Sequence, residues 1–214
     1  MPMHPSVLRP IAILGVVLQL ALPGSSALAQ TRARQMLVSV RLSAAGHPGI
    51  AADVAWERER GHDGMIDVGI DSALFETGAG NPEVALLLQV RAAEPGARIA
   101  VRQRSVSYLN ISGEGPHVAV PGTEARGPWS ALAAGPPGAF RVHNTVGQPV
   151  RVDHRQLAAA LAGQPAWLAL AQGCQGPDDG ACYTVTDPEF EITVTGADGR
   201  SARAIVRVFF HNGC

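Results

Sequence analysis

The chain has 214 residues, with 17 basic and 18 acidic side chains, a formal net charge of −1 and 46% hydrophobic residues. A charge this close to zero, with both signs interspersed, argues against an electrostatic binder of nucleic acid or of a membrane surface. Every basic residue is arginine, and with the many alanines, glycines and prolines this is the usage expected of a GC-rich bacterial genome.

The chain opens "MPMHPSVLRPIAILGVVLQLALPGSSALAQ", with Arg9 ahead of an apolar run and small residues ending at Ala29. That order predicts a secretory signal peptide over residues 1–29. The apolar run is about a dozen residues, short of the roughly 20 needed to span a bilayer, and no later segment is longer. The expectation is one domain over 30–214, periplasmic or secreted, with no integral membrane segment after cleavage.

From Met36 onward the dominant period is two, as in half-buried strands. In "TRARQMLVSVRLSAAG" the alternating residues are Val38, Val40 and Leu42. This segment alone resembles the donor strand of pilus subunits assembled by chaperone and usher. That resemblance implies self-association by strand addition through the N-terminal strand; the simpler alternative is a first strand of the chain's own sheet. "IAADVAWE" aligns Ile50, Ala52, Val54 and Trp56, and "MIDVGID" aligns Ile66, Val68 and Ile70. The charged "RERGHDG" between them reads as a hairpin loop. "EVALLLQV" is apolar on both faces and predicts a strand central in its sheet. In "RIAVRQRSVSYLNIS" the alternation changes phase between Gln103 and Ser105, which predicts a bulge or a bend into the other sheet.

Residues 113–138 are Gly/Pro-rich and read as a long loop covering a sheet edge. "AFRVH" and "PVRVDH" follow as short strands. One connecting helix is expected after Asp153 as N-cap, stopped by Gly163 and Pro165. Nine to eleven short strands with turn signals between them predict an all-β fold, an antiparallel β-sandwich of immunoglobulin-like or jelly-roll-like type.

The C-terminal segment "FEITVTGADGRSARAIVRVFF" reads as a hairpin about Ala197, Asp198 and Gly199, with Gly199 left-handed. Its register makes paired residue numbers sum to 396, so Phe190 faces Val206. Continued outward, the same register sets Cys182 opposite Cys214, unless Pro188 breaks the ladder first. The competing pair, Cys174 with Cys182, closes a short turn-rich loop and is slightly favoured. Three cysteines in an exported chain leave one unpaired or joined to another molecule, and Cys214 is then a route to self-association.

Candidate chemistry is sparse. His47, His62, His117, His143, His154 and His211 show no metal-ligand spacing, and no metal site or cofactor is expected. Asp63, Asp67 and Asp71 fall at intervals of four without a calcium loop, and Asp178 with Asp179 reads as a turn. No nucleophile elbow surrounds Ser112 or Ser130. Glu57 and Glu59 form a carboxylate pair of the sort common in exposed loops, and Asn110 begins an Asn-Ile-Ser acceptor sequence. Trp56 and Trp167 read as core. Trp129, in the Gly/Pro-rich loop, is the aromatic expected to meet a sugar or peptide.

The expected class is therefore a binding or structural accessory protein of the cell envelope, with a protein partner unspecified and catalysis less favoured. The alternatives are a pilus-like or surface assembly subunit and a periplasmic or secreted hydrolase whose site is built from distant residues, such as His62 or His154 with carboxylates.

Overall fold

The computed structural model describes residues 35–56, 61–69, 71–79, 84–111, 118–119, 123–135, 138–151, 153–172 and 182–210. Residues 1–29, with the expected leader, lie outside that set, as do Cys174, Cys214, His117, His211, Ser112, Asp178, Asp179, Glu57 and Glu59.

The protein is an all-β sandwich of two sheets with few helical residues. Strands β1 (Leu37–Ala44), β2 (His47–Asp53), β4 (Leu86–Ala92), β9 (Ala134–Gly135) and β10 (Ala139–Arg141) form the first sheet, in the order β2-β1-β4-β10-β9. The second sheet contains β3 (Gly64–Val68), β5 (Arg98–Ile111), β6 (Val118–Ala119), β11 (Cys182–Thr195) and β12 (Ser201–Phe210), in the order β3-β12-β11-β5-β6. Two further short strands, β7 (Ala125–Arg126) and β8 (Ser130–Ala131), also pair with β5.

The inward faces make one core. Val40 and Leu42 of β1, Leu88 and Val90 of β4, and Phe140 of β10 meet Ile66, Val101, Phe190, Ile192 and Val206 from the opposite sheet. Alternation dictates this: residues two apart share a face, and one apolar face per strand is enough to close a two-layer fold. Trp56 packs half-buried against the same core.

The expected C-terminal hairpin is present in the expected register, with Phe190 opposite Val206 and Thr195 opposite Ser201. Gly199 has φ +76°, and the Gly196 N–H donates to the Arg200 carbonyl at 2.9 Å. That bond makes the even-numbered residues of β11 the ones whose N–H groups point at β12. Pro188 is even-numbered and has no N–H, and the β11–β12 ladder ends at Glu189 opposite Arg207. Beyond it β11 pairs only with β5, so the register does not carry Cys182 toward the C-terminus.

Four expectations change. Among the described residues the hairpin about "RERGHDG" is reduced to one antiparallel Ala55 to Met65 bridge: β2 pairs with β1 in the first sheet, and β3 runs parallel to β12 in the second. β5 has no bulge. It pairs with β11 in one unbroken register from Arg98 opposite Thr195 to Ile111 opposite Cys182. The phase change arises because β5 outruns the sandwich: Val101 faces the core, whereas Val106 and Tyr108, on the other face, are buried away from it. "PVRVDH" forms no strand among its described residues. The strand-addition reading also loses its donor, since β1 lies between β2 and β4 with both edges already paired.

The connecting helix, α1 (His154–Ala160), begins where expected, with Asp153 Oδ1 accepting the N–H groups of Arg155 and Gln156 at 2.9 and 3.2 Å. A second helix, α2 (Pro165–Gln172), follows where one connecting helix alone was expected. Pro165, read as a stop, occupies its first turn, where a missing N–H costs nothing.

Candidate functional site

The Gly/Pro-rich segment does cover a sheet edge, as its composition suggested. β6, β7 and β8 hydrogen-bond to the outer edge of β5, with β7 set against Val106 and Ser107 and β8 against Arg102 and Gln103. Between β7 and β8 the cover leaves the ladder at residues 128–129, and an open groove of about 270 Å³ lies there. Gln103, Arg104 and Ser105 of β5 form its floor, Pro128 and Ser130 one wall, and His143, Asn144, Thr145, Val146 and Gln148 the other.

Local hydrogen bonds set each wall. The Gln103 side chain imitates a backbone pair: its Nε2 donates to the His143 carbonyl at 2.8 Å, and its Oε1 accepts the His143 N–H at 2.9 Å. This holds an irregular segment against β5 without a strand, which is why residues 142–151 need no ladder of their own. The Gln148 N–H donates to Ser107 Oγ at 2.8 Å, and Gln148 Nε2 reaches Ser105 Oγ at 3.1 Å. Ser130 Oγ donates to the Gln103 carbonyl at 3.2 Å. Gly127 is needed for the close approach, because a β-carbon there would sit 2.8 Å from Ser105 Oγ. At the rim Val146 is 71% exposed, a large apolar side chain left to solvent beside polar groups.

The opposite face of the same strands carries a charge ladder. Arg102 and Arg203 share Glu191, and Arg104 pairs with Glu189 beneath the Trp129 ring. Further along, Arg207 is buried between the rings of Tyr108 and Phe209, each centroid 4.9 Å from its guanidinium carbon. It meets Glu124 at 2.5 Å and Asp187 at 3.5 Å, so the covering segment is pinned by a charge from the sheet. Burial pushes the Asp187 carboxyl up to about 6, although the Arg207 charge, the Tyr108 hydroxyl and the Phe210 N–H all oppose the rise. The Tyr108 hydroxyl is raised as well, by burial first and by the Asp187 charge second.

No family model matches the chain, and neither the curated proteins nor the solved structures offer a match. The assignment of a site therefore rests on geometry alone.

Of the residues singled out from sequence, Ser130 and His143 line the groove, and Trp129 lies beside it. Trp129 is half-buried, with its ring over Arg104 at 4.3 Å and Arg102 at 5.6 Å. His62 does not reach the groove; it is buried edge-on to Phe209 at 5.7 Å. Asp63 serves structure, its carboxylate accepting the Ile205 N–H at 2.8 Å, while Asp67 and Asp71 are exposed. Asn110 Nδ2 lies 3.4 Å from the Tyr183 hydroxyl. For α1 and α2 the side chains of His154 and Trp167 are outside the described set. Among the described residues no group of three or more His, Cys, Asp or Glu side chains converges as a metal site would require.

The groove residues Gln103, Ser105 and Gln148 were missed in the sequence. One signal for them existed: in β5 the residues at 103, 105 and 107 are polar yet share the face of Val101 and Leu109. A polar run on an otherwise apolar face marks a place where side chains must find partners.

Proposed function

We propose that this chain is an exported β-sandwich protein of the cell envelope that acts by binding or as a structural accessory, and that the groove along β5 is where it takes a ligand. The observation that carries this reading is the groove itself: hydrogen-bonding groups from three separate segments converge beside an exposed apolar rim, the usual composition of a small-ligand seat. The leader-like first 29 residues support export. The shared edge of β5 also suits the role, because a rigid central strand positions floor residues better than loops alone.

Amide NMR of the isotopically labelled exported protein, titrated with a panel of neutral oligosaccharides and short peptides, tests it. Shifts clustered at residues 103–105, 128–130 and 143–148 are the expected result. Shifts that avoid those residues, or none across the panel, would remove the groove as a ligand site.

A further inference from the structure

We propose that the outward face of the second sheet, bounded by Arg98, Arg102 and Arg104 of β5 and Arg203 of β12, docks an extended acidic polypeptide segment. This face shares Arg104 with the groove, which otherwise lies at the edge of the same strand.

The first support is an asymmetry of burial within the ion pairs. The side chains of Arg102 and Arg203 are 48% and 60% exposed, whereas that of Glu191, which both hold, is 6% exposed. Arg104 and Glu189 repeat the arrangement beneath Trp129. A partner approaching this face therefore meets guanidinium groups, with the carboxylates behind them.

The second support is the charge balance. On this half of the face the strands contribute four guanidinium groups, from residues 98, 102, 104 and 203, against two carboxylates, Glu189 and Glu191. The excess is two positive charges. Arg98 is exposed and has no carboxylate partner among the described residues. The neighbouring arginines do not add to the excess: Arg207 and Arg126 are matched by Asp187 and Glu124, and Arg200 by Asp198 at the turn.

Spacing selects the partner. Same-face residues two apart on a strand are about 6.7 Å apart, and an extended peptide repeats its own side chains at that interval. Arg102 thus matches one carboxylate of an extended acidic segment and Arg98 another four residues along, while Arg104, 21% exposed, stays covered by the Trp129 ring. The planar guanidinium fork suits carboxylates in two-point contact. Glu191 and Glu189 already hold three of the forks in place, so less side-chain freedom is lost on docking than at an ordinary arginine surface.

The test is fluorescence anisotropy of a labelled poly-glutamate peptide titrated with the exported protein at low and at physiological salt. Binding should weaken about tenfold across that range, as screened surface charges do. Arg98→Gln leaves every internal ion pair intact and should weaken binding about threefold, in line with one exposed charge contact. The Arg102→Gln/Arg203→Gln double variant should abolish binding if it folds. Arg41→Gln, on the other sheet, should change nothing. Absence of binding, or binding indifferent to Arg98→Gln, overturns the proposal. Tighter binding of a sulfated polysaccharide than of the peptide overturns the choice of a polypeptide partner.

Discussion

Asp187 shows how one residue acquires a property that its neighbours in sequence do not suggest. It follows Thr184 and Thr186 in an alternating strand, on the opposite face from Phe190 and Ile192, yet it is fully buried beside Arg207. Its folded-state value of about 6 lies above the ordinary carboxylate value of about 3.9. Between those two values the folded protein holds a proton that the unfolded chain has lost. Stability from this group is therefore full below about pH 4 and declines as pH rises toward 6, by at most about 3 kcal/mol. Asp187→Asn should flatten that decline, which urea unfolding at a series of pH values measures directly. Gly199 makes a second residue-scale case. Its φ of +76° is a conformation in which a β-branched side chain is strained. Gly199→Val should lower stability by about 1–2 kcal/mol, seen as a reduced thermal midpoint; an unchanged midpoint would contradict the turn.

At the scale of elements, the hairpin of β11 and β12 was legible because everything that sets its register is local: alternation on both arms, a three-residue turn and a glycine at the left-handed position. Even the place where its ladder fails was written in Pro188. β5 was not legible in the same way. Its alternation does change phase, as a bulge would make it do, but the cause is a change in which face is covered, and the cover comes from residues far along the chain. The groove belongs to this scale too. Gly127→Ala would bring a β-carbon within 2.8 Å of Ser105 Oγ and 3.1 Å of Gln148 Nε2. The Ser105 hydroxyl must then turn away and release Gln148, costing about 1 kcal/mol for the lost hydrogen bond. Faster amide exchange at residues 146–148, with β11 and β12 unaffected, is the expected outcome.

For the whole molecule, the two sheets close over one core while the far end of the second sheet is finished by irregular segments and two short helices. Cys182 lies at that far end, buried, at the first residue of β11. Both residues proposed to join it, Cys174 and Cys214, lie outside the described set. The break at Pro188 removes the ladder argument for Cys214 and leaves the short Cys174 loop favoured. Peptide mapping of the unreduced protein should recover Cys174 linked to Cys182 and alkylated Cys214. A Cys182 to Cys214 peptide would reverse that pairing, and a disulfide-linked dimer through Cys214 would bring assembly forward as a function.

Taken by itself, the sequence determined the strand-rich class, the inward residues of most strands, the helix cap at Asp153 and the C-terminal register, because each depends on periodicity or on contacts a few residues apart. Only the tertiary structure decided that β2 and β3 part into different sheets, that β1 is paired on both sides, and that Gln103 meets His143. It also decided that arginines at 98, 102, 104 and 203, scattered among acidic residues in the chain, gather on one face. Pairing partners and covered faces are set by which elements meet in space, and the local pattern of a strand is the same whichever neighbour it finds.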